Sequence, residues 1–223
     1  EIYTSMESTG KQAEYIRDGL NYDEWMSNIH RVLNEANITK LHMMMTINSL
    51  CLDSIVEFLD EMLDLREQYG QRAPTLSLNI LRFPSFQSNA ILPDDIKTIY
   101  KDKLEVWYKS ERPQKMLHDG EMASVERLID YLDIIKTPHR NTADKAKLHN
   151  DFRAFFAQYD IRRGKNFSET FPGPLAEWFE SLTSEIPTAE KILSKELVLE
   201  VSDTAVDPKT TDTYIDQIND TLK

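Results

Sequence analysis

Cysteine is almost absent from this sequence, since only one of the 223 residues, Cys51, is a cysteine. A single thiol excludes an internal disulfide framework and a zinc site built from cysteines. Long apolar segments are missing as well, because no run reaches the ~18 residues that a membrane-spanning helix requires. We therefore expect no membrane span and, by default, a cytoplasmic protein. Cys51 lies between Leu50 and Leu52, and we expect it to be a buried small hydrophobic residue.

The sequence also lacks the short motifs of several enzyme classes. It contains neither a GxSxG nucleophile elbow nor a glycine-rich phosphate loop. Its five histidines share no HxxxH spacing, which leaves a zinc hydrolase unsupported. Basic residues are in deficit, with 26 Lys and Arg against 38 Asp and Glu, for a net charge of −12. This balance argues against general binding to the phosphate backbone of nucleic acids.

Three segments have the pattern of β-strands that end in polar residues: residues 1–7, 40–48 and 75–82. The stretches between them, residues 14–34 and 54–69, have the apolar spacing of helices, which predicts a βαβαβ unit with a parallel sheet. From residue 94 onward the prediction is mainly helical, with helices over residues 94–109, 120–135, 142–159 and 175–182. The stretch 195–202 fits a strand or a helix end, and residues 214–222 fit a peripheral helix.

Parallel α/β folds place their chemistry at the carboxyl ends of the strands. Polar side chains of this chain fall at those ends, and we expect a ligand site there. The candidates from the strand ends are Ser5, Glu7, Thr46, Asn48 and Arg82.

The same segments resemble the radical S-adenosylmethionine superfamily, in its subgroup with a twitch or SPASM-like extension. Residues 5–7 (SME) followed by 12–20 (QAEYIRDGL) look like the fourth strand and helix of that family. Residues 46–50 (TINSL) resemble its fifth strand, and residues 79–84 (NILRFP) with 91–93 (ILP) resemble its sixth. Residues 159–172 (YDIRRGKNFSETFP) look like a tail signature of twitch-type members, so that the resemblance covers roughly residues 1–182.

The resemblance implies the carboxyl-terminal part of a partial (β/α) parallel barrel, followed by a mostly helical extension. It implies barrel residues 1–93 and a helical extension over residues 94–183. The polar composition of the last stretch separately predicts a peripheral or partly disordered tail over residues 184–223. The implied cofactors are S-adenosylmethionine and a four-iron four-sulfur cluster, which together generate a 5′-deoxyadenosyl radical. An external electron donor is also implied, while the substrate and the catalytic residues stay unknown.

The resemblance points to Ser5 and to Arg17, on the following helix, as residues that hold the amino acid part of S-adenosylmethionine. An arginine suits this role because it can bind a carboxylate through two parallel hydrogen bonds. Other interpretations are equally open at this stage. Ser5 fits a turn residue bonded to its own backbone, and Arg17 fits a surface ion pair with Glu14 or Asp18. Arg82 also fits a surface ion pair.

The cluster-binding motif of the superfamily, CxxxCxxC, is absent from this chain. The sequence begins at Glu1 within a predicted strand, and we interpret the chain as a fragment that lacks the cluster-binding half and would be inactive alone. The alternative is a cysteine-less interaction or binding protein with an α/β plus helical fold.

The tail signature concentrates polar groups around Gly164, directly after an apolar helix. The cluster is formed by Arg162, Arg163, Lys165 and Asn166. It could bind an anion or close over the barrel mouth, but Arg and Lys also favour the exposed carbonyls at a helix end, and we prefer this structural interpretation.

Two further patterns are better explained by structure than by chemistry. The acids Glu57, Asp60, Glu61, Asp64 and Glu67 share a predicted helix, where a solvated face is favoured over a metal site. The aromatic residues between Leu148 and Tyr159 keep helical spacing and are predicted to belong to the core, not to a base-stacking platform.

Overall fold

Three parallel strands form the sheet in a computed structural model of the chain. They are β1 (Ile2–Ser5), β2 (Leu41–Ile47) and β3 (Thr75–Ile80), and their order across the sheet follows the sequence. Both strand pairs are parallel, with Thr4 opposite Met43 and Met43 opposite Leu76. The predicted parallel sheet and the mixed α/β class are confirmed.

The structure describes residues 1–135 and 142–182, with side chains from residue 145 in the second range, and all of them belong to one compact unit. The predictions for residues 184–223, including the segments 195–202 and 214–222, lie outside the described residues. The helices of the described part are α1 (Gly10–Ile16), α2 (Tyr22–Glu35), α3 (Ile55–Tyr69), α4 (Asp94–Tyr108), α5 (Glu111–Met116), α6 (Asp119–Ile134), α7 (Thr142–Arg163), α8 (Phe167–Thr170) and α9 (Pro174–Ser181).

The first predicted helix is in fact two helices. The sequence analysis predicted one helix over residues 14–34, but α1 ends at Ile16 and α2 begins at Tyr22. Gly19 lies between them with a φ of 81°, a conformation that glycine adopts without a steric penalty. Asn21 then caps α2, because its side chain accepts a hydrogen bond of 2.9 Å from the Glu24 N–H. The helix predicted over residues 54–69 is confirmed as α3, which ends before Gly70, where φ is 56°.

The two faces of the sheet differ sharply. On one face, Leu41, Met43, Met45 and Ile47 of β2 are buried against the helices. The strands follow one another in sequence order, so right-handed connections carry both crossovers to the same side of the sheet. Helices α2 and α3 therefore cover one face only.

The opposite face is partly or fully exposed along its length. Its side chains are Tyr3, Ser5, His42, Met44, Thr46, Thr75, Ser77 and Asn79. We refer to this set as the open face. It contains no Asp, Glu, Lys or Arg, although 29% of the chain is charged. Parallel sheets normally have both faces covered, and an uncharged exposed face is unusual for them.

The two edges of the sheet also differ. The N–H of Leu76 and the C=O of Leu78 point away from β2, and side chains of α6 bind both of them. Glu121 accepts a 2.8 Å hydrogen bond from the Leu76 N–H, and Arg127 donates one of 2.8 Å to the Leu78 carbonyl. Polar side chains thus take the place that a fourth strand would occupy at this edge, which we call the sealed edge.

The described residues provide no such seal at the outer edge of β1. The Ile2 N–H bonds inward, to the Lys40 carbonyl at 3.0 Å. In a parallel ladder the residues alternate in direction, so the N–H and C=O groups of Tyr3 and Ser5 point outward. Within the described parts of the chain no partner is present for these groups. We call this edge the open edge.

The carboxyl-terminal helices form an aromatic core at the strand ends. The rings of Phe152, Phe156, Phe167, Phe171 and Phe179 are buried and contact one another. The prediction of a core role is confirmed for Phe152 and Phe156, while Phe155 is 41% exposed and packs on Phe86. Helix α7 packs on the turns that follow β3, and α8 packs on α1. The extension therefore lies across the carboxyl ends of the strands.

The acids of α3 take part in hydrogen bonds and ion pairs. Arg112 of α5 forms ion pairs with Asp60, Asp64 and Glu67, at 3.0 Å for Glu67. Tyr22 donates a hydrogen bond to Glu61, and Lys103 pairs with Glu57 at 2.7 Å. These contacts tie α5, α2 and α4 to α3.

No helix within residues 1–135 and 142–182 combines the length and apolarity needed to cross a membrane.

Candidate functional site

Glu7 and Arg17, two of the residues predicted to form the site, contact each other just beyond the end of β1. Their ion pair measures 2.5 Å between Nη2 of Arg17 and Oε2 of Glu7. The side chain of Glu7 is only 3% exposed, whereas that of Arg17 is 32% exposed. The Arg17 partner is thus neither Glu14 nor Asp18. The Nε atom of Arg17 is buried without a hydrogen-bond partner, so the guanidinium retains donor capacity.

Asn48 organises the turn after β2. Its Oδ1 accepts hydrogen bonds from the N–H groups of Leu50 and Cys51, at 2.9 and 3.1 Å. Its Nδ2 donates to the carbonyl of Thr46 at 3.2 Å. This Asx-type turn uses both ends of the amide and leads the chain into a 3₁₀ turn, Cys51–Asp53.

Cys51 is fully buried in the same turn, as predicted. Burial raises the pKa of its thiol, and the negative charge of Glu7 raises it further. The Cys51 Sγ accepts a hydrogen bond from the Asn48 N–H at 3.2 Å. A neutral thiol of this kind is a poor nucleophile and a poor metal ligand.

The remaining strand-end residues lie in different surroundings. Ser5 and Thr46 are exposed on the open face. Arg82 is exposed as well, but it lines a groove beside α6 and is not part of the Glu7 and Arg17 cluster. The structure therefore brings Glu7 and Arg17 into contact and places Asn48 near them, and it separates Arg82 from both.

The tail cluster docks onto the end of α1. Asp18 forms ion pairs with Arg163 at 2.9 Å and with Lys165 at 3.1 Å. The ammonium group of Lys165 also donates a 2.6 Å hydrogen bond to the carbonyl of Glu14. Arg162 is exposed, with no ion-pair partner among the described residues.

Asn166 begins the next helix. Its side chain accepts a 3.2 Å hydrogen bond from the Glu169 N–H and caps α8. Lys165 therefore binds an end carbonyl, as the structural interpretation of this cluster expects, but that carbonyl belongs to α1 and not to α7.

A second set of contacts joins α1 to α7. The Tyr15 hydroxyl donates a 2.7 Å hydrogen bond to Oδ1 of Asp160, and the Tyr159 hydroxyl donates one of 2.7 Å to the Tyr15 carbonyl. Burial raises the pKa of Tyr15, and the hydrogen bond to Asp160 raises it further. Burial also raises the pKa of Asp160. Tyr15 lies in the segment of residues 12–20 and Asp160 in that of residues 159–172, two of the segments that carry the family resemblance. The contact joins positions 145 residues apart.

A small cavity of about 110 Å³ lies where these loops meet. It is lined by α1, by the turn after β2, by the turn after β3 and by α7, with Ile16, Asn48, Gln87 and Tyr159 among the lining residues. Two fully buried side chains in the same loops, Ser49 and Asn89, carry polar atoms without a partner. Typical small-molecule sites measure about 300 to 1,000 Å³, so this cavity alone is too small for S-adenosylmethionine.

The residues of this chain also do not fit an iron–sulfur cluster. Such clusters are held by several thiolates, and the chain supplies one cysteine, which is buried in a turn. Among residues 1–135 and 142–182, no three His, Cys, Asp or Glu side chains converge to hold a metal ion. Ligands for a cluster would have to come from outside this sequence.

Sequence reasoning missed the residues that hold the site together. Asp18 and Tyr15 lie within the helix segment that was singled out, yet their partners in α7 and beyond it are about 145 residues away. The only signal in the sequence was composition: the first segment contains an acid and a tyrosine, and the second contains basic and acidic residues that can pair with them.

Comparisons with protein-family models, with curated proteins and with solved structures found no match for this chain.

Proposed function

We propose that residues 1–93 form the later wall of a partial parallel barrel of the radical S-adenosylmethionine type. Residues 94–183 would then be the helical extension of the barrel, lying over the mouth. Strands preceding β1 would pair at the open edge, and the open face would become the inner wall. The parent would be a cytoplasmic enzyme whose electron donor is external.

The asymmetry of the sheet carries this proposal. Consecutive parallel strands with helices on one face are the arrangement from which a barrel is built, and the inner face must then be free of helices. In the part of the chain that the structure describes, the open face is partly or fully exposed and carries no charged side chain. The strand that resembles the fourth of the family lies at the open edge, and the strand that resembles the sixth lies at the sealed edge.

A contact between two of the segments that carry the resemblance adds support. Residues 12–20 and 159–172 have no reason to meet in an arbitrary fold, yet they share ion pairs and hydrogen bonds at Asp18, Tyr15 and Lys165. They meet at the carboxyl ends of the strands, where a barrel enzyme has its site.

The roles of individual residues follow from their positions. Ser5 and Thr46 would face the ribose or methionine part of S-adenosylmethionine from the open face, and Asn48 would fix the turn between them and the cavity. Arg17, oriented by Glu7, would bind the methionine carboxylate with its free donors. The bound cofactor and a cluster held elsewhere would supply the radical chemistry, while this chain binds, orients and excludes water.

The test is iron and sulfide analysis under anaerobic conditions on protein expressed from the complete reading frame that contains this sequence. The proposal expects about four irons per chain and broad absorption near 400 nm, which are properties of a thiolate-bound cluster. A complete protein that binds neither iron nor sulfide would contradict it.

The role of Arg17 has its own test. In the complete protein, Arg17→Ala should weaken S-adenosylmethionine binding by about 1.5 to 3 kcal/mol, the range for a charged hydrogen bond. Because this change leaves the buried carboxylate of Glu7 unpaired, Glu7→Gln should be combined with it to restore stability. Unchanged affinity in the double variant would remove Arg17 from the site.

A second candidate function is a cysteine-less binding protein that presents the open edge and open face to a partner. One observation favours it, namely that Arg17 and Asn48 are already engaged within the chain, by Glu7 and by the turn. An iron-free complete protein that still pairs a partner strand with β1 would support this candidate.

A further inference from the structure

Beyond its seal, the edge of β3 opens onto a groove of about 420 Å³, which lies between the end of the strand and α6. This volume falls within the range of about 300 to 1,000 Å³ for small-molecule sites. The groove shares no lining residue with the cavity between α1, α7 and the turns after β2 and β3. The lining residues that matter here are Ile80, Arg82, Glu126, Arg127, Asp130 and Tyr131.

The groove carries charges of both signs in equal number. Arg82 approaches from the end of β3, and Arg127 is held in place by its 2.8 Å hydrogen bond to the Leu78 carbonyl. Glu126 and Asp130 lie one turn apart on α6. Among the described residues, Arg82, Glu126 and Asp130 have no ion-pair partner. By contrast, Arg112 of α5 forms ion pairs with three carboxylates of α3.

The spacing of the two acids favours a cation between them. Carboxylates at positions i and i+4 of a helix repel each other, and a bound ammonium group removes that repulsion. The two guanidinium groups offer parallel donors that match a carboxylate. Ile80 and the ring of Tyr131 add an apolar surface to the same groove.

We propose that this groove binds a free amino acid with an apolar side chain. Its carboxylate would lie on Arg82 and Arg127, its ammonium group on Glu126 and Asp130, and its side chain against Ile80 and Tyr131. A neutral groove with two separated poles suits a zwitterion better than an anion or a cation alone. The site does not rest on the radical-enzyme proposal and is tested on this chain by itself.

The experiment is an NMR titration of the ¹⁵N-labelled chain with L-leucine, L-methionine and L-phenylalanine. N-acetyl-L-leucine and L-leucinamide, which lack the ammonium and the carboxylate charge respectively, are the matched control ligands. At least one of the three amino acids should shift the amide signals of Arg82 and of residues 126–131, and each control should bind at least tenfold more weakly. A tenfold loss is the smallest effect expected for a charged hydrogen bond.

Two variants complete the test. Arg82→Gln and the double change Glu126→Gln with Asp130→Asn should each weaken amino acid binding at least tenfold, and because all three side chains are exposed the fold should persist. Arg31→Gln, an exposed arginine of α2, should leave affinity unchanged. The inference is overturned if none of the three amino acids shifts these signals at 20 mM, which is about the weakest binding worth assigning. It is also overturned if leucinamide or acetyl-leucine binds as tightly as leucine, or if the groove variants bind the amino acids with unchanged affinity.

Discussion

The two edges of the sheet differ in whether their outward backbone N–H and C=O groups have hydrogen-bond partners. At β3, a buried carboxylate and a guanidinium from α6 bind the outward N–H of Leu76 and the outward C=O of Leu78. At β1, the outward N–H and C=O groups of Tyr3 and Ser5 have no partner among the described residues, and Tyr3 is 62% exposed. Natural sheets usually protect an exposed edge against pairing with another chain.

The difference indicates the direction in which the sheet can grow. Glu121 and Arg127 occupy the hydrogen-bonding positions that a fourth strand would need, so extension beyond β3 would require displacing a buried ion pair. Extension beyond β1 would displace no hydrogen-bonding partner that belongs to the described residues. An added strand would also continue the open face, whose uncharged side chains suit contact with protein or a ligand more than contact with solvent.

The largest effect is expected from breaking the seal at Glu121. Glu121→Ala removes the partner of Arg66, bonded at 2.7 and 2.8 Å, and leaves the N–H groups of Leu76 and His118 without an acceptor. Removing one member of a buried ion pair costs about 3 to 5 kcal/mol. Urea unfolding at pH 7 measures this loss in the free energy of unfolding.

The matched control is Glu35→Ala, at the exposed end of α2. It should change the free energy of unfolding by less than about 0.5 kcal/mol, as surface substitutions usually do. Equal effects of the two changes would show that Glu121 does not seal the edge.

A pair of prolines tests the open edge. The N–H of Thr4 points inward, so Thr4→Pro removes a hydrogen bond of the ladder and should cost at least about 2 kcal/mol. Ser5→Pro removes only an outward N–H and should cost less than about 1 kcal/mol, because edge strands tolerate proline there. Thr4→Val controls for the lost contact between the Thr4 hydroxyl and Trp25, which measures 3.3 Å. If both prolines destabilise the chain equally, the assigned directions are wrong.

The pH dependence of stability should also report on the sealed edge. Burial alone would raise the pKa of Glu121, but hydrogen bonds from Arg66, His118 and Leu76 outweigh burial and lower it below the ordinary value of 4.5. The stabilisation is therefore present above that ordinary value and is lost as the pH falls through the lowered one. The advantage of the wild type over Glu121→Gln should be constant between pH 7 and about pH 5 and should shrink below about pH 4.5. A constant difference down to pH 3 would contradict this.

The smaller of the two effects at the sealed edge is expected at Arg127, which is more exposed than Glu121. Arg127→Ala removes one hydrogen bond to the Leu78 carbonyl, which water can replace in part, and should cost about 1 kcal/mol. Thermal unfolding measures this change, with Arg31→Ala as the exposed control. A loss as large as that of Glu121→Ala would mean that the guanidinium, and not the carboxylate, is the main element of the seal.

Much of the fold was predictable because its signals are local. Alternating and 3.6-residue apolar periods located the three strands and most of the long helices to within a few residues. The sequence analysis missed the break between α1 and α2, although a glycine, Gly19, and a residue suited to cap a helix, Asn21, indicate it. The short helix α5 was missed because its apolar content is low and it depends on Arg112 pairing with α3.

The candidate site was predictable only in part because its contacts are not local. The family resemblance predicted Arg17, and the rule that polar residues gather at strand ends predicted Glu7, which contacts it. The same rule grouped Arg82 with them, but the chain leaves β3 toward α6 and carries Arg82 into another groove. No pattern in the sequence showed that Glu121 would bond an N–H 45 residues away.

Native-state amide hydrogen exchange tests the central difference between the two edges most directly. The account predicts that the Leu76 amide, held by Glu121, exchanges only through global unfolding, while the Tyr3 and Ser5 amides exchange at least about a hundredfold faster through local exposure. Tyr3 and Ser5 amides that exchange as slowly as Leu76 would contradict an open edge at β1 and, with it, the direction of growth proposed for the sheet.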